Sequence, residues 1–268
     1  MNRIENAFKN KPIFMPYFPL GFPDLETSID VIEALAKNGA DLIEVGLSFS
    51  DPLADGPVIQ KATQVALEKG ITVKKSLEAV KELRKRGVNI PLILMGYYNP
   101  MLAYGLEKFV FDALDAGVDG FIVPDLPMEE SEEFRAALSG AASEVEAPLI
   151  QMLAPTTPDN RMELIARNAK GFIYFVSVTG VTGERKSISD GLEDLIARVR
   201  KHTSIPVCVG FGIGLPEQAR SVGMVADGVI VGSACVRAIG EGANPVVTAK
   251  EFARNFQEAL KMKIWNDR

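Results

Sequence analysis

Two carboxylates near the start of the chain have the type and spacing for acid–base chemistry, and Glu44 is the first. It stands near the end of an apolar run, LIEVG (42–46). Burial there would cost an unpaired carboxylate free energy and raise its pKa toward neutrality. A carboxyl group with such a pKa can exchange protons at physiological pH. The position alone leaves a structural interpretation open, in which a lysine or a backbone amide satisfies Glu44.

The second carboxylate, Asp55, follows within the segment FSDPLADGP (49–57), which also contains Asp51. Two aspartate turns, each beside a proline, predict a structured loop. Pro57 suits the first turn of a helix after the loop. Turn formation accounts for Asp51, whereas Asp55 also lies where the loop returns to the end of the preceding strand. We therefore expect Asp55 to share a site with Glu44.

Three glycine-containing stretches predict a phosphate site: Thr182-Gly183, GFGIG (210–214) and GSA (232–234). Glycine lets backbone N–H groups approach a ligand closely, and a helix N-terminus favours an anion. Each stretch alone is a weak signal, because glycine commonly follows a strand without any ligand. Together they favour a phosphorylated substrate. The only histidine, His202, sits in a polar helix end and is given no catalytic role.

The elements that position these residues are eight short apolar runs with helical patterns between them. The runs are 13–18, 42–46, 92–95, 120–123, 149–153, 171–176, 207–209 and 229–231. Strands that alternate with helices predict parallel βα units of the α/β class. Eight units favour one closed (β/α)8 TIM barrel over residues 1–268, with its site in loops after the strand ends. An additional N-terminal helix (2–10) and extra helices are expected, with the stretch 247–264 packed beside the first.

Composition excludes several other classes of protein. The net charge of −6 argues against a nucleic-acid partner, which requires a concentrated basic surface. No apolar run reaches the roughly 18 residues of a membrane span, and the first residues do not have the pattern of a signal peptide. Cys208 and Cys235 lie in apolar runs without metal-ligand spacing. We expect buried free thiols, no metal and a cytoplasmic protein.

The segments EVG (44–46) and FSDPLADGP (49–57) resemble the signature of the tryptophan synthase alpha subunit family. Further motifs follow in the family's order: YYNP (97–100), VPDLPMEE (123–130), APTT (154–157), GVTG (180–183) and GFGI (210–213). The match extends from about residue 14 to residue 233. It implies a (β/α)8 barrel and reversible retro-aldol cleavage of indole-3-glycerol phosphate to indole and glyceraldehyde 3-phosphate, in the last step of L-tryptophan biosynthesis.

The resemblance also implies residue roles. Glu44 would protonate indole C3 and assist removal of the glycerol hydroxyl proton, and Asp55 would bind the indole N–H and stabilise positive charge on the ring. Tyr174 would assist near Glu44, and Phe211 would line the indole pocket. The substrate-binding residues expected on this basis are Phe18, Tyr98, Tyr174, Thr182, Gly183, Phe211, Gly212, Gly232 and Ser233.

The family works with a beta subunit that holds pyridoxal phosphate and consumes indole, so an alpha2beta2 complex is expected. This chain itself would carry no cofactor, and Asp51 and Pro52 would couple it to the beta subunit. Two departures stand near the site. Ser48 replaces the family's usual proline, which puts the subunit interface in doubt, and FPLGFP (18–23) replaces the commoner sequence after the first strand.

Three alternative functions remain. Ser48 keeps open a stand-alone lyase that releases indole without a beta subunit. A mainly non-catalytic activator of a beta subunit is disfavoured, because both Glu44 and Asp55 are retained. Another phosphate-binding barrel, such as an isomerase or indole-glycerol-phosphate synthase, would use different acid–base residues and lack the loop 51–57.

Overall fold

A computed structural model describes residues 2–141, 147–176, 191–210 and 212–262. Eight strands and twelve α-helices occur in these ranges. The strands are β1 Ile13–Pro19, β2 Ile43–Gly46, β3 Leu92–Met95, β4 Gly120–Ile122, β5 Gln151–Leu153, β6 Ile173–Val176, β7 Val207–Gly210 and β8 Gly228–Val231. Each lies within two residues of a predicted run, so the strand predictions are confirmed.

The helices surround the strands in chain order. They are α1 Arg3–Ala7, α2 Leu25–Lys37, α3 Pro57–Glu68, α4 Val73–Lys85, α5 Tyr98–Tyr104, α6 Leu106–Ala116, α7 Glu132–Gly140, α8 Asp159–Asn168, α9 Leu192–Arg200, α10 Pro216–Gly223, α11 Ser233–Glu241 and α12 Pro245–Lys261. Short 3-10 helices cover Phe8–Asn10 and Met128–Glu130. No helix among the described residues is both long and apolar enough to cross a membrane.

All the strand pairings are parallel, and the strand order is β4-β3-β2-β1-β8-β7-β6-β5. The two end strands meet at a bridge between Phe121 and Leu149. Two backbone hydrogen bonds hold this bridge, from Phe121 to the Pro148 carbonyl at 2.9 Å and from Ile150 to the Phe121 carbonyl at 2.8 Å. The bridge closes the predicted (β/α)8 barrel.

Residue parity along the strands separates two apolar layers. Successive side chains of a strand point to opposite faces. On β1, Ile13 and Met15 belong to a small cluster inside the barrel, while Phe14 and Phe18 belong to the larger cluster between the strands and the helices. Leu42, immediately before β2, belongs to the inner cluster, so Glu44, two residues later, also faces the barrel interior. Side chains at odd positions of β1 and at even positions of β2 therefore point into the barrel.

The N-terminal and C-terminal helices lie in different places. Ile4 and Phe8 join the inner cluster, and the Phe8 ring lies 5.9 Å from that of Phe172, which precedes β6. Helix α1 and the 3-10 helix after it therefore cover the end of the barrel where the strands begin. Helix α12 instead packs against α2, α10 and α11. Its Phe256 ring stacks on Phe14 of β1 at 5.3 Å. The C-terminal helix was expected to pack beside the N-terminal segment 2–10. Its aromatic face instead covers the outside of β1, and its last turns approach that segment at Lys9 and Asn10, with which they line a surface cavity.

Candidate active site

A cavity of about 250 Å³ opens at the C-terminal ends of the strands, where sites of (β/α)8 barrels lie. Strand residues and the loops after β2, β7 and β8 line it. The described residues at its wall are Tyr17, Glu44, Ala54, Asp55, Gly56, Ile59, Met95, Pro124, Met152, Tyr174, Gly212, Ile213, Gly214, Ile230, Gly232, Ser233, Ala234 and Arg237. The cavity thus brings the two predicted carboxylates together with predicted phosphate-binding glycines.

Glu44 is buried at the base of this cavity, with only 1% of its surface exposed. Its Oε1 atom has no hydrogen-bond partner among the described residues. Burial raises the pKa of Glu44 to about 8, with a further contribution from the negative charge of Asp55. The carboxyl group therefore carries its proton at neutral pH. The structural interpretation, in which a lysine or an amide satisfies Glu44, finds no support at this oxygen.

Asp55 is held at the cavity wall by the loop after β2 and by a tyrosine. Tyr97 donates a hydrogen bond from Oη to Asp55 Oδ2 at 3.0 Å, and the same Oη accepts one from the Ala54 amide at 2.9 Å. The side chain of Gln60, on α3, donates to the Asp55 carbonyl at 2.8 Å. Burial raises the pKa of Asp55, and the hydrogen bond from Tyr97 opposes that rise. Asp55 is thus fixed in position and better stabilised as an anion than Glu44.

Two tyrosines flank Glu44 within the cavity. Tyr17 lies on β1 and Tyr174 on β6. Burial raises the pKa of each phenol well above its ordinary value, and the negative charges of Glu44 and Asp55 raise it further. Both hydroxyls therefore keep their protons and can act only as hydrogen-bond donors or as acceptors through their lone pairs.

Each of these tyrosines requires a glycine on the next strand. A Cβ atom on Gly46 would lie 2.3 Å from Tyr17 Oη, and one on Gly210 would lie 2.6 Å from Tyr174 Oη. These distances are too short for any side chain. The glycines that end β2 and β7 therefore make room for the tyrosine hydroxyls at the cavity.

The side of the cavity formed by Gly212 and the start of α11 can bind an anion. Helix α11 begins at Ser233 after Gly232, and no side chain caps it, so its first N–H groups remain available to a ligand. Gly212 adds a glycine with φ of +75° beside them. Arg237, one helical turn after Ser233, is the only basic residue among the described residues of the wall. Gly212, Gly232 and Ser233 were predicted to bind phosphate, and they lie together here.

Two predicted substrate-binding residues lie away from the cavity. Phe18 is fully buried in the outer layer, with its ring 6.2 Å from that of Phe22, because its parity on β1 is opposite to that of Tyr17. Tyr98 begins α5, and its Oη donates to Glu133 Oε2 at 3.2 Å. Neither side chain is among the described residues of the cavity wall, and their assignment as substrate-binding residues remains a prediction. Thr182, Gly183 and Phe211 lie outside the described residues.

Sequence reasoning missed three residues of this region: Tyr17, Tyr97 and Arg237. Strand parity could have found Tyr17, since it lies two and four residues after the inward-facing Met15 and Ile13 and therefore points to the same face of β1. Arg237 follows Ser233 at a spacing of four, which places both residues on one face of a helix. Tyr97 stands in the motif YYNP, but no local pattern indicates its contact with Asp55, which joins residues 42 positions apart.

The two residues expected to couple with a partner lie on the outside of the loop after β2. Asp51 is exposed and accepts a hydrogen bond from Ser50 Oγ at 2.6 Å, while its carbonyl accepts one from Leu53 at 3.0 Å. Leu53, next to Pro52, is 89% exposed. Ser48 lies at the entry to this loop, where its Oγ donates to the Leu20 carbonyl at 3.4 Å. The side chain of Ser48 thus contacts the loop after β1.

No group of His, Cys, Asp and Glu residues within the described ranges has the arrangement of a metal site. Cys208 and Cys235 are buried free thiols, as predicted. The polar groups that face the cavity are therefore carboxyl, hydroxyl and guanidinium groups, together with backbone amides. Such a set can donate and accept protons and can bind an anion.

Comparison of the sequence with known families gives one consistent result. A family model described as tryptophan synthase alpha chain matches residues 4–264. The tryptophan synthase alpha chain of Chloroflexus aggregans is 48% identical over 241 residues, which cover 88% of this chain and 89% of that one. The protein of the same name from Petrotoga mobilis is 41% identical over 265 residues and covers 99% of this chain and 100% of its own length.

Solved structures give the same result for the fold. Tryptophan synthase subunit alpha from Legionella pneumophila superposes with a TM-score of 0.88 at 34% identity, covering 98% of this chain and 99% of that chain. An aminoacrylate-bound form of tryptophan synthase from M. tuberculosis superposes with a TM-score of 0.85 at 32% identity. That match covers 97% of this chain and 100% of the other. The likeness therefore extends over almost the whole barrel.

Proposed function

This chain belongs to the tryptophan synthase alpha chain family, and we propose that Glu44 and Asp55 are the residues that carry its reaction. The reaction is the cleavage of indole-3-glycerol phosphate to indole and glyceraldehyde 3-phosphate, a carbon–carbon lyase step of tryptophan biosynthesis. One observation carries the proposal: the buried, unpaired carboxyl of Glu44 shares a cavity with Asp55.

The cavity has separate regions for the two ends of this substrate. We assign the phosphate to Gly212, Gly232 and Ser233, where backbone N–H groups and the start of α11 favour an anion. Met95 and Met152 form an apolar wall that suits the indole ring near Asp55. The glycerol chain would then cross the cavity between these regions, over Glu44. By the family resemblance, Thr182, Gly183 and Phe211 complete the site.

The protonation state of Glu44 suits both halves of the reaction. The neutral carboxyl delivers its proton to indole C3, which places positive charge on the ring, and the Asp55 carboxylate stabilises that charge at the ring nitrogen. The bond from C3 to the glycerol chain then breaks, and its electrons return to the ring. The adjacent chain hydroxyl becomes an aldehyde and gives its proton to the Glu44 carboxylate. Glu44 is thereby restored, and a pKa of about 8 permits both transfers near neutral pH.

No bound cofactor is needed for this sequence of steps, because a carboxyl group moves the proton and Asp55 stabilises the charge. We propose that pyridoxal phosphate belongs to a beta subunit, which receives indole within an alpha2beta2 complex. The name alpha chain on the relatives supports such a partner. The exposed loop with Asp51, Pro52 and Leu53 would contact it. We also propose one barrel domain over residues 1–268 and a cytoplasmic location, consistent with the free thiols.

An indole-release assay tests this function. Purified protein would receive indole-3-glycerol phosphate with and without a beta subunit, and Glu44→Gln would be compared with Glu251→Gln on the outer helix α12. We expect release by the unmodified chain and by Glu251→Gln, and loss of turnover in Glu44→Gln with phosphate-ligand binding retained. Release that needs no beta subunit would favour the stand-alone lyase. No release in any condition, or full turnover by Glu44→Gln, would refute the proposal.

A further inference from the structure

Tyr17 spans the space between the two ends of the cavity. Its Cα is paired in register with that of Glu44 across the parallel strands β1 and β2, which neighbour each other at about 4.8 Å. Its Oη extends beyond Glu44 to the level of Gly46. Its Cβ lies 3.8 Å from the position that a Cβ on Gly232 would take. The side chain therefore lies between the acid–base region and the start of the phosphate region.

The hydroxyl of Tyr17 has no assigned acceptor in the protein. Its side chain lines the cavity, and no group within the described ranges is hydrogen-bonded to its Oη. The phenol is 3% exposed and keeps its proton, since burial raises its pKa. Tyr17 Oη is not among the fully buried unpartnered atoms, so this hydroxyl opens onto the cavity. A donor that is open toward a cavity is suited to a polar group of a ligand.

We propose that the Tyr17 hydroxyl hydrogen-bonds a hydroxyl of the substrate's glycerol group. Tyr17 would thereby favour indole-3-glycerol phosphate over a ligand whose linker between the ring and the phosphate lacks hydroxyls. The inference rests on the proposed function, because the glycerol chain crosses Tyr17 only if the ring lies near Asp55 and the phosphate near Ser233. Tyr17 is then a specificity-determining residue that holds the chain hydroxyls beside Glu44.

Binding of two ligands by two variants tests this role. Glu44→Gln provides a background in which indole-3-glycerol phosphate persists, and Tyr17→Phe is added to it. The second ligand is indole-3-propanol phosphate, which has the same ring and phosphate but no chain hydroxyl. Calorimetry should show that Tyr17→Phe lowers the affinity for indole-3-glycerol phosphate by about five- to tenfold, as expected for one lost hydrogen bond. The affinity for indole-3-propanol phosphate should change by less than about twofold, because this ligand has no hydroxyl that could bind the Tyr17 hydroxyl.

A matched control and a folding check separate this role from a structural one. Tyr104→Phe removes a hydroxyl that donates to Asp112 Oδ2 at 2.6 Å outside the cavity, and it should leave both affinities unchanged. Thermal unfolding of each variant reports whether the fold is intact. Equal weakening of both ligands by Tyr17→Phe, or no weakening of the glycerol ligand, would overturn the inference. Failure of the proposed function would appear separately, as indole release by Glu44→Gln.

Discussion

Tyr97 donates a hydrogen bond to Asp55 at 3.0 Å, while Glu44 in the same cavity has an oxygen without any partner among the described residues. A hydrogen bond to a carboxylate favours its charged form, whereas burial without one favours the neutral form. The two acids are thereby separated in protonation state. Glu44 holds a proton that it can deliver, and Asp55 is the group better able to stabilise developing positive charge.

Removal of the Asp55 charge should be costly to catalysis. We expect Asp55→Asn to lower kcat by at least about 10²-fold, the scale of one positioned electrostatic group. Tyr97→Phe keeps the charge but loses the donor that orients it, so its effect should be smaller, about tenfold. Steady-state measurements of indole release check both values. An Asp55→Asn enzyme within twofold of the unmodified chain would exclude Asp55 from the reaction.

The pH dependence of cleavage should report the pKa of Glu44. The proton donor is present below about pH 8 and is lost above it, so kcat/KM should fall as pH rises through that value. The charge of Asp55 contributes to the raised pKa of Glu44. Neutralisation of Asp55 should therefore lower the pH at which kcat/KM falls. Profiles of the unmodified enzyme and of the residual activity of Asp55→Asn would test the shift. If kcat/KM of the variant falls at the same pH as that of the unmodified enzyme, Asp55 does not influence the pKa of Glu44.

Glu44 should also make stability depend on pH. Below its ordinary value of 4.5 the folded and unfolded chains both carry the proton. Between 4.5 and about 8 only the unfolded chain releases it, so this group lowers the free energy of unfolding by about 1.4 kcal/mol per pH unit. Urea unfolding should show that Glu44→Gln gains stability over the unmodified chain from pH 5 to pH 8, with little further gain at pH 9. A difference independent of pH would show that Glu44 titrates normally.

The sequence was sufficient to predict the barrel because apolar runs and helix periods are local properties. Glu44 could also be predicted, since a carboxylate within an apolar run can be recognised from the sequence alone. Phe18 does not line the cavity because its parity on β1 is opposite to that of Tyr17, and strand parity can be read from the sequence. The contact of Tyr97 with Asp55 could not be predicted from local pattern. It depends on how the loop after β2 folds back against the loop after β3.

The loop after β2 gives a separate test of communication with the beta subunit. Asp51 is exposed, and its carboxylate is bonded to Ser50 rather than to a group of the cavity. Asp51→Ala should therefore leave turnover by the isolated chain within about twofold, the effect of most surface substitutions. Stimulation by the beta subunit should fall several-fold if the loop is the contact. Indole release measured at increasing beta subunit concentration distinguishes these effects, and unchanged stimulation would remove Asp51 from the interface.

Arg237 should act on the capture of the phosphate and not on bond cleavage. It is the one basic side chain among the described residues of the wall, at a spacing of four from Ser233, and it lies on the rim where solvent weakens its field. We expect Arg237→Gln to raise KM for indole-3-glycerol phosphate about three- to tenfold with little change in kcat, and the effect should shrink as salt is added. Arg237→Lys should retain most of the affinity because the charge remains, and Arg254→Gln on α12 should change neither constant. A kcat that falls together with kcat/KM would instead place Arg237 among the groups that act in the transition state.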